Sequence, residues 1–450
     1  MPKSKIENRK SKLIVVIGMG YVGIPCAVLL ADVPGHQVIG VQRRSERSGW
    51  KIDLLNKGLS PFDGQEPGLA ELIARVVEKG TFRVTDDISV CKDADVILID
   101  VQTPTDSRRV PEYLSLRGVS TSVGQYMKKG ALVVIESTVA PGTTQNIVQP
   151  ILEETSGLKA GQDFYLAFSY ERVMPGKLLE FMVDFPRVVG GIDARSTELA
   201  VELYNTIVKK EITATDVLTA ELAKTVENAY RDVNIAFANE IALICESLGV
   251  DVYELRELIN ARPDRHMHIP GAGVGGHCLP KDTWLLRFGV KEYGTRDVDM
   301  AMITLARQIN DSMPDHMARL VGEALAEAGR EVKGSRVTVL GLAYLEDSDD
   351  VRNTPAEPLI HALQGKGAWV MAHDPYVWGY EGEELTRDLD EALRGVDCLA
   401  LVTKHQMYFG LDLEHVKGLM RTPVIVDGRN VFNAQACREA GFVYRGIGKA

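Results

Sequence analysis

The chain has 450 residues, 45% hydrophobic and 25% charged, and 51 Lys and Arg against 62 Asp and Glu give a net charge of −11. That length carries two or three domains with real cores, and the composition is that of a soluble globular protein, not a disordered or collagen-like one. The negative balance argues against a general nucleic-acid or anionic-membrane binder. The first segment to weigh is Leu13–Ala31, uncharged and preceded by Lys10 and Lys12, which mimics a signal peptide or membrane span. Gly18, Gly20, Gly23 and Pro25 interrupt it, so it reads as a short buried strand, Leu13–Ile17, running into a glycine turn.

Further strands are predicted at Gln37–Val41, Val96–Val101, Leu132–Glu136 and Phe164–Ser169, with helices between them at Leu69–Lys79 and Ser120–Met127. Between Asp216 and Ser247 there is neither Gly nor Pro, and Gly249 stands where a helix would be capped, which predicts one long helix. A helix at Val252–Asn260 and a Gly/Pro/His-rich loop from Arg262 to Asp282 follow. Helical periodicity then runs from Val298, with an interruption at Pro314, to Gly329. A second alternating region holds strands at Val337–Leu340, Trp369–Met371, Cys398–Val402 and Val424–Val426. The expected fold class is α/β: two Rossmann-like, doubly wound parallel-sheet domains, 1–215 and 333–450, joined by a long-helix central domain, 216–332.

Gly18-Met19-Gly20-Tyr21-Val22-Gly23 is a G-x-G-x-x-G placed after a strand and before a helical run. In that context it is a dinucleotide-binding turn, its glycines allowing close backbone approach to a pyrophosphate at a helix N-terminus. The next strand ends in Gln42-Arg43-Arg44, where an acidic residue usually bonds the ribose of NAD. Two adjacent cations there would also accommodate the 2′-phosphate of NADP, so the residues alone leave the cofactor open. Of six scattered cysteines with no C-x-x-C pair, Cys26, Cys91, Cys245, Cys398 and Cys437 read as packing residues of a reducing cytoplasm. Cys278 differs, because it follows a Gly-rich loop and is flanked by His277 and Lys281, a setting that favours a reactive thiolate. His266, His268, His277 and Cys278 fit no standard zinc spacing, so no metal is expected. Lys224 and Asn228, at i and i+4 of the long helix, share one face, either as a pair suited to an oxyanion or as a solvated surface.

These motifs, with Thr103-Pro104, Glu136–Gly142, Glu171-Arg172-Val173, Glu221–Glu240, Gly271–Asp282 and Gly341–Tyr344 followed by Asp350-Val351-Arg352, resemble the UDP-glucose/GDP-mannose dehydrogenase family over nearly the whole chain. The resemblance implies oxidation of the C6 alcohol of a nucleotide sugar to a carboxylate with two NAD per turnover. By it, Cys278 is the nucleophile, Lys224 and Asn228 stabilise the oxyanions, and Asp282 assists as acid/base. Thr138 positions a water that Glu171 activates to cleave the thioester. It also assigns Tyr21, Val22, Thr103, Pro104 and Thr138, beside the glycines, Gln42 and Arg43, to the cofactor. Arg172, Val173, Lys224, Asn228, Arg265, Gly275, His277, Arg352 and Arg429 are assigned to the UDP-sugar. NAD is favoured over NADP on the same ground, and a homodimer built on the central helices is implied.

Glu171-Arg-Val-Met-Pro175-Gly176 and Gly275-Gly-His277-Cys278 resemble the UDP-N-acetylhexosamine branch, and Arg262-Pro-Asp-Arg265 its mannosamine members. The alternatives are UDP-glucose, or the glucosamine or galactosamine epimer, as substrate. Three positions depart from the family pattern: Tyr170 replaces a proline, Leu345 a substrate-binding lysine, and Gln42 the acidic ribose contact. A short-chain epimerase would need Tyr-x-x-x-Lys, and none of the 14 tyrosines has a lysine four residues on. A zinc alcohol dehydrogenase would stop at the aldehyde. The rival from another class is a non-catalytic dinucleotide-binding module, disfavoured by the intact Cys278, Lys224, Asn228, Asp282 and Glu171.

Overall fold

A computed structural model describes residues 11–46, 48–62 and 66–449. They form two compact units, one holding the chain up to Glu227 together with Trp284–Val298, the other Asn228–Thr283 with the chain from Asp299 onward.

The first unit is built on strands β1 (Lys12–Ile17), β2 (His36–Val41), β3 (Phe82–Thr85), β4 (Val96–Ile99), β5 (Leu132–Ile135), β6 (Tyr165–Phe168), β7 (Arg187–Gly191) and β8 (Ile212–Asp216). Their order is β3-β2-β1-β4-β5-β6-β7-β8, and the order reverses between β1 and β4. In β1, β4 and β5 the residues Ile14–Val16, Val96–Ile99 and Leu132–Ile135 are buried on both faces, which is why these strands read as unbroken apolar runs. Ile14, Val16 and Leu98 pack with the helix Gly23–Asp32 on one face, and Val15, Ile17 and Ile97 pack with Leu116 and Val123 on the other. The sheet departs from pure parallel winding at one place, since β7 runs antiparallel to β6. Neither β7 nor β8 was predicted. The first ends in two glycines, and the second, Ile-Thr-Ala-Thr-Asp, is a largely exposed edge strand with no apolar signature. The helix expected at Ser120–Met127 starts earlier, at Leu114.

The second unit carries an all-parallel sheet of β9 (Arg336–Leu340), β10 (Trp369–His373), β11 (Leu385–Thr386), β12 (Cys398–Leu401), β13 (Val424–Asp427) and β14 (Val443–Gly446). Its order, β11-β10-β9-β12-β13-β14, reverses between β9 and β12. One core joins this sheet to the helix Ala301–Glu327 through Met313, Met317, Val321 and Leu325. That helix runs straight through Pro314, where the sequence predicts an interruption. A proline in a helix interior costs about 3 kcal/mol. The apolar face spread along the rest of this helix, buried in the same core, outweighs that single loss. The long helix Val217–Leu248 ends as expected, with Gly249 at φ 74° and the Val250 amide donating to the Cys245 carbonyl. At its midpoint it is tied to Ala301–Glu327 by a buried pair, Arg307 Nη1 to Asp232 Oδ1 at 2.6 Å, and by Asn310 Nδ2 on the same carboxylate at 2.8 Å.

No helix among the described residues is long and apolar enough to cross a membrane. The run that imitates a signal peptide is β1, the glycine turn and the helix Gly23–Asp32.

Candidate active site

In the first unit, β1 delivers the chain to Gly18 at φ 110°, a backbone conformation side chains rarely allow. A Cβ on Gly18 would lie 2.2 Å from the Asp100 carbonyl oxygen, and one on Gly23 would lie 1.9 Å from the Gly18 carbonyl oxygen. Gly20, in contrast, has nothing within 4 Å of its missing Cβ. The outer two glycines are therefore demanded by packing, and the middle one leaves open space at the first turn of the helix Gly23–Asp32. This is the geometry a dinucleotide pyrophosphate requires. Val22 is the residue just before that helix, and the Tyr21 ring stacks on Phe62 with centroids 4.6 Å apart.

Gln42 stands at the end of β2, and its Oε1 accepts the Met19 amide at 3.0 Å while its Nε2 donates to Ser48 Oγ at 2.9 Å. The side chain thus braces the glycine turn from the neighbouring strand. Arg43 is exposed. Arg44, the second cation of the run, pairs with Asp86 at 3.1 Å and Asp53 at 3.7 Å. Further along the same edge, Thr103 Oγ1 donates to the Thr138 carbonyl at 2.6 Å, linking the loops after β4 and β5, and the Pro104 carbonyl accepts the Glu112 amide.

The loop after β6 carries Glu171, Arg172 and Val173. The Glu171 carboxylate accepts the Val173 amide. Lys224 is buried, and its Nζ donates to the Glu171 carbonyl at 2.9 Å. Arg172 is committed to Glu227 Oε1 at 2.9 Å, to the Tyr170 hydroxyl at 2.9 Å and to the Pro186 carbonyl. Tyr170, the departure from the family's proline, is the hub of this cluster. Its hydroxyl donates to Glu227 Oε2 at 3.1 Å and its ring lies 5.3 Å from Lys224 Nζ. Burial, followed by the charge of Glu227, pushes its phenol up to about 12.

In the second unit, Cys278 is the exposed one of six unbridged cysteines, the other five being buried as expected. The loop predicted to last until Asp282 ends sooner: helix Leu279–Tyr293 begins directly after Cys278, whose carbonyl accepts the Lys281 and Asp282 amides. Leu279-Pro280-Lys281 hid this start, because Gly and His before it and a proline inside it read as loop. Proline at a first helical turn loses no bond, since the amides there have no partner within the helix. The consequence is chemical, because a thiol at a helix N-terminus is stabilised as thiolate.

Asp282 lies one turn further on, fully buried. Its Oδ2 accepts Asn228 Nδ2 at 2.5 Å and its Oδ1 lies 3.4 Å from Lys281 Nζ. Lys224 and Asn228 share a helix face, but their polar atoms have different partners, the Glu171 carbonyl for one and Asp282 for the other. His277 is pushed down to about 4, first by burial and then by the charges of Lys281 and Arg352, and so is neutral at pH 7.

The glycines before Cys278 also serve packing. A Cβ on Gly275 would lie 2.5 Å from Tyr344 Cβ, and one on Gly271 would lie 2.4 Å from Arg429 Nη1. Arg429 donates to the Val402 carbonyl at 2.8 Å and the Gly273 carbonyl at 3.3 Å, threading beneath the cysteine loop. The Arg352 guanidinium grips Asp350, with Nη2 to Oδ2 at 2.5 Å, while its carbonyl accepts the Gly276 amide. Arg265 is exposed and pairs with Asp264 at 2.7 Å. Lys404, which the sequence reading did not single out, follows β12 and lies 3.6 Å from Glu346, next to the position where Leu345 replaces the family lysine. Among the described residues, no group of three or more His, Cys, Asp or Glu is arranged to hold a metal ion.

One buried carboxylate was also passed over. Glu221, one turn before Lys224, accepts the Gly142 amide at 2.6 Å and the Thr144 amide at 2.8 Å, fixing the loop that begins at Thr138.

Comparison with known proteins shows the family. Residues 12–208 match the NAD-binding domain of the UDP-glucose/GDP-mannose dehydrogenase family, residues 218–312 its central domain and residues 338–434 its UDP-binding domain. The chain is 39% identical to the UDP-N-acetyl-D-mannosamine dehydrogenase of Pyrococcus horikoshii, over 97% of this chain and 99% of that one. A solved structure of UDP-D-ManNAc dehydrogenase from the same organism superposes with a TM-score of 0.89 at 38% identity, covering 97% of this chain and 99% of that one. The crystal structure of NDP-N-acetyl-D-galactosaminuronic acid dehydrogenase from Methanosarcina mazei Go1 is 44% identical, covers 98% of this chain and 96% of its own, and gives a TM-score of 0.88. The chain therefore belongs to the UDP-glucose/GDP-mannose dehydrogenase family and is an NAD-dependent nucleotide-sugar 6-dehydrogenase.

Proposed function

We propose that this enzyme oxidises the C6 alcohol of a UDP-N-acetylhexosamine, UDP-N-acetyl-D-mannosamine in first place, to the uronic acid through a covalent adduct on Cys278. The observation that carries the reading is Cys278 itself, exposed at the start of a helix whose next turn presents the buried Asp282. The segments 1–215, 216–332 and 333–450 would serve cofactor, cysteine and UDP-sugar respectively.

NAD would be held by Gly18, Gly20, Tyr21, Val22, Gly23, Gln42, Thr103 and Pro104, with Arg43 near its ribose, and would supply the hydride acceptor for each of two oxidations. The first oxidation removes a proton and a hydride from the alcohol and leaves an aldehyde. The Cys278 thiolate adds to the aldehyde carbon, giving a thiohemiacetal whose alkoxide is stabilised by the Lys224 ammonium and the Asn228 amide. Loss of the second hydride gives a thioester on Cys278. Glu171 takes a proton from a water positioned by Thr138, that water cleaves the thioester, and the thiolate leaves with Asp282 as its acid/base partner. Covalent capture keeps the aldehyde bound while the first reduced cofactor is exchanged. Arg172, Val173, Arg265, Gly275, His277, Arg352 and Arg429 would position the UDP-sugar, several of them through the loops they brace.

The substrate class rests on the relatives, whose names specify N-acetylmannosamine and N-acetylgalactosaminuronic acid, and on Pro175-Gly176 and His277-Cys278. Counting NADH formed with each UDP-sugar tests it: two per UDP-N-acetyl-D-mannosamine is the expected result, and turnover of UDP-glucose alone would overturn it. For the mechanism, Cys278→Ser should lower acid formation by about 1,000-fold or more without changing stability, since the thiol is exposed. Normal conversion by that variant would rule out the thioester route.

A homodimer completes the proposal. Leu218, Leu222, Val226, Tyr230, Phe237, Ile244 and Leu248 are all exposed and recur along one helix at spacings of four and seven. Such a stripe marks an association surface. The unbridged cysteines suit a cytoplasmic setting.

A further inference from the structure

Asp100, the residue after β4, lies against the dinucleotide turn. Its carbonyl oxygen is what forbids a Cβ on Gly18, and its own Cβ lies 3.4 Å from where Gly23 would place one. Its Oδ2 is sequestered from solvent and meets no donor among the described residues, and the same is true of Glu136 Oε2 at the end of β5. The two residues follow Ile99 and Ile135, which pair across β4 and β5, so these buried carboxyl groups are neighbours, and the charge of Glu136 raises that of Asp100. Two buried carboxylates side by side disfavour double ionisation, so one of the pair holds a proton.

The surroundings decide which one. Glu136 Oε1 accepts from the Arg187 guanidinium on β7, from the Tyr204 hydroxyl at 2.7 Å and from Cys26 Sγ at 3.8 Å. Three donors, one of them a buried cation, thus converge on Glu136, whereas none among the described residues reaches Asp100 Oδ2. Asp100 has burial against its charge, then the negative charges of Glu136 and Glu171, with Arg187 opposing them. Cys26, on the helix Gly23–Asp32, is itself pushed up by burial and by Glu136, and stays a neutral thiol. The Tyr204 phenol is raised for the same two reasons. Of the groups facing Asp100, then, Glu136 and Glu171 are the anions and Arg187 the cation.

We propose that Asp100 is a positioning residue for the cofactor: a neutral carboxylic acid that donates to Glu136 Oε2 and keeps the floor of the Gly18–Gly23 turn uncharged where an anionic pyrophosphate binds. An ionised carboxylate at this place would repel the dinucleotide. A proton held between two acids gives a polar but uncharged support, with Arg187 balancing the single charge on Glu136. The inference rests on the cofactor alone and is independent of which sugar is oxidised.

The test combines infrared spectroscopy with NAD⁺ binding measured by calorimetry on the intact enzyme. A protonated-carboxyl band is expected at neutral pH; it should shift on carbon-13 labelling of aspartate and vanish in Asp100→Asn. The labelled unmutated enzyme gives this answer even where the variant folds poorly. Raising the pH until the band disappears should weaken NAD⁺ binding several-fold in the unmutated enzyme and leave Asp100→Asn unaffected. A missing band, tighter NAD⁺ binding by Asp100→Asn at neutral pH, or affinity indifferent to loss of the band would each overturn the proposal.

Discussion

The ends of β1 and β9 occupy the same topological place in their sheets, the point where strand order reverses, and they are built differently. After β1 three glycines lead directly into a helix, with open space beside Gly20. After β9 only Gly341 is kept, at φ 89°, and the next helix waits until Ala356. A Cβ on Gly341 would lie 2.4 Å from Thr403 Cβ, so this glycine lets two loops pack and leaves no gap for a phosphate. The intervening loop is pinned by side chains instead. Asp374 Oδ2 accepts the Leu342 and Ala343 amides at 2.8 Å, and His405 Nδ1 accepts the Asp347 amide at 2.9 Å. That second bond puts the imidazole proton on Nε2, which donates to Asp374 at 3.0 Å. One crevice is made by backbone amides and a helix end, the other by a braced loop. The lesson is that a shared sheet order does not imply a shared ligand: the first suits a dinucleotide, the second the UDP part of the family's substrate.

The sharpest way to break this contrast is at the glycines. Gly18→Val would combine a disfavoured φ with a 2.2 Å clash, and a displacement of the turn by about 1 Å should cost about 100-fold in NAD⁺ affinity. UDP binding, measured by calorimetry on the same variant, should stay unchanged. Equal loss of both would mean that the two crevices are not built independently.

A smaller effect is expected at the braced loop. Asp374 and His405 are both fully buried. Removing one partner of such a pair typically costs 3–5 kcal/mol, and Asp374→Asn, which keeps the shape and one acceptor, should cost less, about 2 kcal/mol of stability. Its signature should be a raised KM for the UDP-sugar with the KM for NAD⁺ unchanged. A raised KM for NAD⁺ alone would reverse the assignment of the two crevices.

How legible these features were depended on the kind of physical signal. The buried central strands and the glycine turn were readable, because strands covered on both faces show as apolar runs and the turn has a fixed spacing. Val252–Asn260 was found to the residue, since Asp251 caps it and Gly249 breaks the chain before it. The strands β7 and β8 were not found, because they are stabilised by pairing at the sheet edge and carry no local pattern. Pro314 misled because local propensity was read without the core that overrides it. For the candidate site, the sequence supplied residue types but not partners. That Arg172 is occupied by Glu227, that Asn228 reaches Asp282, and that Asp100 lies beside Glu136 are pairings across long sequence separations with no pairwise sign in one chain.

The last expected effect is a pH dependence of stability, and it separates support of the site from its chemistry. Glu221 is raised from 4.5 to about 7, chiefly by burial, against the opposing pull of the Thr144 and Gly142 hydrogen bonds. The unfolded chain loses this proton near 4.5, while the folded chain keeps it until about 7, so between these values the folded state binds more protons. Stability from this group is therefore greatest below 4.5, falls as pH rises to about 7 and is level above it. The full shift corresponds to about 3 kcal/mol. Urea unfolding from pH 4.5 to 8 should show that decline in the unmutated protein, and Glu221→Gln should flatten it. If the decline survives the substitution, another group is responsible, and Glu221 is an ordinary ionised brace for the loop at Gly142. If it disappears, the loop that begins at Thr138 is held at acid pH by a neutral acid, and raising the pH ionises the group that carries it. The braced loop after β9 depends on Asp374 instead, and should show no change in UDP affinity when Glu221 is replaced.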